Sequence, residues 1–430
     1  MANFRSPFCI TTALAGGVLA GLSASTPARA LCPGVSGSSS STINIGIDPD
    51  RFTPGETDEP DIDAFIVTTV TTSFASSAVT SLSSAVTALS MNDIAMTAQG
   101  SSPFVVVNPS QTPNAVGGGV WVRGVGGDVL TDVPATGSLL VPNSPSSSIA
   151  LDCPSRVRQG FGGFQAGADL ANLNLDGSGS TLSIGITAGY MDSSNNSAGA
   201  ITHTHFSVPF AGVYAVYTHG NFFADTQIRG NWYIGSLADQ VTGISGQAFH
   251  ANGFSLSANT GYHFTMPENW FIEPSIGVNF SETLADPINI EFGSPALTGV
   301  FFSTNDISRF DSVLGRITAR VGTDIVNGAY TFEPYFSASV FHEFAGAIDS
   351  TQTTTPEATP SALTETVLAT GRIGTFGQFG GGVAAQIAGT GLTGFVRGDY
   401  RVGDRFNGWT IAGGLRYNFE TAEAKVVSKY

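Results

Sequence analysis

From about residue 118 to 419, apolar and polar side chains alternate with a period of two. Twelve segments carry the pattern: 118–129, 158–171, 180–191, 203–218, 220–235, 248–264, 269–282, 307–326, 329–344, 372–388, 392–402 and 407–419. In the last, Trp409, Ile411, Leu415, Tyr417 and Phe419 fall on one face, and Thr410, Ala412, Gly414, Arg416 and Asn418 on the other. In 269–282, Trp270, Ile272, Ile276, Val278 and Phe280 oppose Glu273, Ser275, Gly277, Asn279 and Ser281. A period of two places the sets on opposite sides of a sheet. Most segments exceed the roughly 5–6 residues of a soluble strand and reach the about 9–11 that a tilted strand needs to cross a bilayer. Aromatics gather near the segment ends, at Tyr190, Trp270, Tyr330, Trp409 and Phe419, as they do at membrane interfaces.

Upstream the period lengthens. Over 61–98, Ile62, Ile66, Val70, Phe74, Ala78, Leu82, Val86 and Leu89 recur close to helical spacing, with Ser, Thr and Ala on the other faces and neither Pro nor Gly. This predicts a slim helix fitted to a confined lumen, with a strand pair around Ile66–Val70 as the alternative. Pro103, Pro109 and Pro113 end the segment.

The connections sort by length. Long or medium ones (130–157, 192–202, 236–247, 283–306, 345–371) alternate with short ones: 172–179, His219-Gly220, 266–268, Asn327-Gly328 and 389–391. Asn-Gly is a preferred two-residue hairpin turn. Outer-membrane barrels have long outer loops and short periplasmic turns, and a soluble sandwich has no reason to sort its loops this way. Only Gly403–Phe406 is a short outer loop.

Composition narrows the class further. Of 430 residues 53 are Gly and only 12% are charged, with a formal net charge of −16 and both lysines (Lys425, Lys429) near the C-terminus. Such a chain has no basic face for nucleic acid, and 42% apolar content is too high for extended disorder. No run after the N-terminus reaches the roughly 18 apolar residues of a membrane helix, which leaves a β-barrel as the membrane solution.

Residues 1–30 read as a secretory signal addressed to the Sec machinery: Arg5, the apolar stretch Ile10–Leu22, and an Ala28-Arg29-Ala30 cleavage site. Cys9 would leave with it. Cys32 and Cys153 remain as a pair that a periplasm could oxidise, although sequence does not set their distance. Residues 31–60, Ser-rich and then acidic, form a short exposed passenger or linker.

The domain plan is a signal at 1–30, this segment at 31–60, the helix at 61–100, a linker at 101–117, the barrel at 118–419 and a tail at 420–430. Projecting the alternation inward assigns Arg123, Arg229, Arg316, Arg320, Arg397, Arg401 and Arg416 to the lumen. Facing them are Asp169, Asp225, Glu273, Asp324, Glu333, Glu343 and Asp399. Charge on the lipid face costs about 2–4 kcal/mol at midplane. These groups serve either as a pore lining or, the favoured reading, as pairs that brace the wall.

Two stretches then point to a family. The run Gly119-Val-Trp121-Val-Arg123-Gly124-Val-Gly126-Gly127 resembles the opening strand of an autotransporter β-domain, and Gly408-Trp409 through Phe419 its closing strand. The resemblance covers roughly 61–419. It implies a twelve-stranded transmembrane antiparallel barrel with a helix threaded through it and a passenger exported to the cell surface. It further implies a C-terminal aromatic signal, here Leu415, Tyr417 and Phe419, read by the barrel-assembly machinery. The chain departs from the family in its extra residues Glu420–Tyr430 and in the brevity of 31–60. Asn92-Asp93 stands where some members have a cleavable Asn-Asn.

No catalytic, cofactor or metal constellation emerges. His203-Thr-His205 has chelating spacing without a third ligand. Asp176-Gly-Ser178-Gly-Ser180 reads as a turn, and Arg397-Gly398-Asp399 lies mid-strand. The reading is a non-enzymatic translocator in the outer membrane of a Gram-negative bacterium, surrounded by outer-membrane lipid. The alternatives are a surface adhesin or structural barrel that binds a ligand through its outer loops, and a small-solute channel.

Overall fold

The computed structural model describes residues 82–91, 106–107, 112–140, 148–197, 202–239, 243–293, 300–357, 363–419 and 425–426. The signal, the segment 31–60, most of the helix and linker, and Cys9 and Cys32 lie outside the described residues.

Twelve antiparallel strands close into a barrel. They are β1 (Ala115–Val133), β2 (Ser155–Leu173), β3 (Ser180–Ser197), β4 (Thr202–His219), β5 (Phe222–Asp239) and β6 (Ile244–Tyr262). The circuit continues with β7 (Trp270–Ala285), β8 (Phe310–Thr323), β9 (Tyr330–Glu343), β10 (Thr375–Ile387), β11 (Leu392–Gly403) and β12 (Phe406–Asn418). Each strand pairs with the next, and β12 pairs with β1 from Gly119↔Asn418 to Thr131↔Phe406 to close the seam. Closure satisfies every ladder without leaving an edge, which is what hydrocarbon demands. No described helix is long and apolar enough to cross a membrane.

The outward face is apolar and framed by aromatics. On β12, exposed Trp409 and Tyr417 bracket Ile411 and Leu415. Eight residues of strand separate the two aromatics, about 26 Å along the chain before tilt. Trp270, Tyr330 and Tyr262 mark the same belt at the periplasmic ends, and Trp232, Phe379 and Tyr400 stand towards the outer one.

Inward, glycine makes room for large neighbours. A Cβ on Gly167 would lie 2.6 Å from the Trp121 indole. One on Gly261 would lie 2.5 Å from the Phe223 ring, and one on Gly322 would lie 2.5 Å from the Phe271 ring. Each ring therefore lies across the neighbouring strand, over a residue without a side chain. Gly185, Gly189, Gly253 and Gly382 meet Tyr214, Phe210, Tyr233 and Tyr335 in the same way.

The long outer connections, read above as loops, are themselves largely strands. Three hairpins rise from the rim: Ala135–Leu140 with Ser148–Asp152, Ile288–Gly293 with Val300–Ile307, and Ile348–Pro356 with Thr364–Thr370. They pair with one another into a six-stranded sheet in the order 288–293, 300–307, 348–356, 364–370, 135–140, 148–152. This collar passes over the short β11–β12 connection, where Gly371 N–H donates to Pro134 O at 2.6 Å and Asp132 N–H to Arg405 O at 2.9 Å. On the other side, β2 to β6 are 18 or 19 residues long.

One helix, α1 (82–91), lies inside the outer mouth. Lys425–Val426 of the tail pairs with Val106–Val107 of the linker.

Candidate functional site

The site is the lumen, and it is zoned along its axis. The outer part is apolar. Leu82, Ala85, Val86, Ala88, Leu89 and Met91 of α1 are buried in one cluster with Val129 and Val133 of β1, Phe161 of β2 and Met191 of β3. Phe206, Phe249, Phe310, Phe341, Phe376 and Phe406 complete the ring, with Phe341 and Phe376 stacked at 4.8 Å. A helix apolar on one face alone would leave its hydroxyls stranded here. Two of them reach the rim or the helix backbone: Thr87 Oγ1 lies 2.8 Å from Ser83 O within α1 and 2.9 Å from Ser155 Oγ of β2. Arg372 completes the hold. Its Nη1 donates to Ser90 Oγ at 3.3 Å, its Nε to Gly346 O at 2.7 Å, and its guanidinium lies 5.4 Å from the Phe310 ring.

Towards the periplasm the lumen is charged and its groups are cross-braced. On the β12–β1–β2 side, Asp169 receives both Nη atoms of Arg416 at 2.7 Å and the Tyr214 hydroxyl at 2.7 Å. Trp121 Nε1 donates to that hydroxyl at 2.8 Å. Arg123 Nε donates to Gln165 Oε1 at 2.9 Å, and Gln165 Nε2 passes to Thr187 Oγ1 at 2.8 Å.

Across the lumen, Arg320 pairs with Glu273 at 3.1 Å and Glu333 at 3.2 Å, between the rings of Phe271 and Tyr335. His263 Nδ1 lies 3.2 Å from the same Glu273 carboxylate. Asn259 links Asp225, at 3.0 Å, to Arg316, at 2.6 Å. Arg229 lies 5.0 Å from the Phe210 ring. On β11, Arg397 pairs with Asp399 at 3.0 Å, and Gln378 bridges Asp399 to Arg401, which lies near the outer end of the strand, 6.0 Å from the Phe406 ring. Glu343, at the outer end, accepts from Ser312 Oγ and Val313 N–H. Asp324 stands just past β8, half-buried at a periplasmic turn.

Most of these contacts join side chains of different strands, Arg397–Asp399 staying within β11, while the apolar cluster packs around α1. Trp121, Tyr214, Gln165, Gln378 and Arg372 complete the networks without having been singled out as candidates. The first four share the inward phase of their strands, which was the available signal. Arg372 sits at a strand end, where the phase is not defined.

The other candidate chemistry falls outside the lumen. His205 Nε2 lies 3.3 Å from Asp192, and His203 contacts Asn196, both on the outward face of β4 near its outer end. Among the described residues no group of three or more His, Cys, Asp or Glu side chains could hold a metal ion. Leu415, Tyr417 and Phe419 are exposed on the outward face at the periplasmic end. Cys153 is buried and disulfide-bonded.

The family described as "Autotransporter beta-domain" matches residues 154–399. The chain is 25% identical over 309 residues to a probable autotransporter YcgV of Escherichia coli, covering 70% of this chain and 28% of that one. It is also 25% identical over 215 residues to the autotransporter CRAC of Citrobacter rodentium, covering 48% of this chain and 12% of that one. The chain thus spans less than a third of the length of the curated relatives it matches. Among solved structures, the transport unit of the autotransporter AIDA-I from Escherichia coli is 17% identical, with a TM-score of 0.49 over 70% of this chain and 90% of that one. The β-domain of the Bordetella autotransporter BrkA is 20% identical, with a TM-score of 0.46 over 70% and 98% of the two chains.

Proposed function

The chain belongs to the autotransporter β-domain family, and from that premise we propose that its barrel carries residues 31–60 to the cell surface and anchors them there, with α1 remaining as the plug. As a member of that family it is a translocator-type barrel of the Gram-negative outer membrane. The similarities favour neither the adhesin nor the solute-channel reading.

One observation carries the proposal. α1 is clasped at the outer mouth, by Thr87 to Ser155 and by Ser90 to Arg372, while β1 begins at the periplasmic end with Ala115. The described chain therefore begins at the outer side with α1 and starts the wall at the periplasmic side with β1. Residues N-terminal to α1 then belong to the exterior. The inward charges act in this reading as braces that keep the wall rigid while a polar chain passes. Delivery follows from two addresses, a Sec signal at 1–30 and the Leu415–Tyr417–Phe419 motif offered to the barrel-assembly machinery.

An epitope inserted after Gly46 tests the proposal. Antibody applied to intact cells is expected to stain them; staining that needs a permeabilised outer membrane would refute export.

A further inference from the structure

Cys153 stands at the root of the collar, between the strand Ser148–Asp152 and β2. Its N–H donates to Ala135 O at 2.7 Å. Its side chain is 4% exposed and packs with Ala135, Leu139, Leu151 and Leu368 on the buried face of the collar. Its sulfur is in a disulfide. The chain has two other cysteines, Cys9 and Cys32. Cys9 precedes the Ala28-Arg29-Ala30 cleavage site and leaves with the signal, so the mature chain holds one candidate partner, Cys32. Two residues beyond Cys153, Ser155 holds Thr87 of α1. The stretch that carries the sulfur thus also carries the plug.

We propose that Cys32 and Cys153 form a disulfide that staples the start of the mature chain to the collar. The exported segment is then a closed surface loop, tied at one end through Cys32 and at the other through α1, and not a free tail. This rests on the reading that 31–60 reaches the exterior. The loop cannot be shed by a single backbone cut, because both ends stay attached.

Formation needs a disulfide-bearing thiol oxidant, of the class that works in the periplasm. One cysteine thiolate attacks the oxidant's disulfide, forming a mixed disulfide and releasing one oxidant thiolate. The second cysteine thiolate then attacks the bonded sulfur of the first and displaces the other oxidant sulfur. The two cysteine protons and two electrons leave with the oxidant, which departs as a dithiol.

The sequence supplies a clean test. Arg51 is the only basic residue between Leu31 and Val122, so trypsin applied to intact cells has one cutting site in the loop. After cutting, the fragment 31–51 is expected to stay with the cells and to enter the medium on addition of dithiothreitol. In Cys153→Ser or Cys32→Ser cells it should enter the medium without reductant. Release from wild-type cells without reductant would overturn the staple. If trypsin reaches Arg51 only after permeabilisation, export fails instead, and non-reducing peptide mapping of the purified barrel decides the staple independently. A linked Cys32–Cys153 peptide supports it; free thiols, or Cys153 joined to Cys9 or to another chain, overturn it.

Discussion

Asp169 is fully enclosed, yet it accepts three strong donors, two from Arg416 and one from Tyr214. Its position gives the contact meaning. Asp169 is on β2 and Arg416 on β12, and the strand between them is β1, so the ion pair straddles the seam at which the first and last strands meet. Gly119 leaves the floor beneath it open, since a Cβ there would sit 3.1 Å from Arg416 Nη2. The pair can form only when the barrel has closed. Breaking a buried pair from one side costs about 3–5 kcal/mol, while replacing both partners with apolar side chains is often neutral. Asp169→Asn is therefore expected to lower the temperature at which the barrel loses its compact migration in detergent gels, and Asp169→Leu with Arg416→Met to restore most of it. Equal losses in both variants would show that the pair does not latch the seam.

The collar shows at the level of elements what a sequence discloses. The twelve wall strands were legible because one face of each meets lipid and the other does not, which writes a period of two into the apolar pattern. The collar strands lack that contrast. In Ile348–Pro356 the buried face carries Ser350, Gln352 and Thr354, joined to Ser303 through Gln352 Nε2 at 3.0 Å and Thr354 Oγ1 at 3.3 Å. With hydroxyls and amides facing inward, polarity no longer separates inside from outside, and the segment looks like a loop. Its β-branched threonines were the remaining hint. The brace partners were hidden for another reason: alternation tells which face a residue occupies, while register decides whom it meets. The central hairpin, 348–370, joins the other two. Exchanging it for a Gly-Ser turn is expected to leave the barrel folded while making 135–152 and 288–307 sensitive to protease on intact cells. Continued resistance would mean that each hairpin is held by the rim alone.

As a whole the molecule is a rigid tube whose interior changes character partway up. The braced, charged zone faces the periplasm, and the apolar zone with α1 closes the outer mouth. Leu89 lies in that seal with no exposed surface. A carboxylate there would be buried in an apolar cluster and would expel the helix or wet the seal. Purified Leu89→Asp barrel is expected to pass ionic current in planar bilayers that wild-type protein does not; equal currents would place the barrier elsewhere. This zoning has an electrical consequence. An apolar constriction stops ions by refusing water, without needing to fill every gap. The tube then behaves as a conducting shaft in series with an insulator, and nearly all of its resistance falls across the roughly 15 Å spanned by the ten described residues of α1.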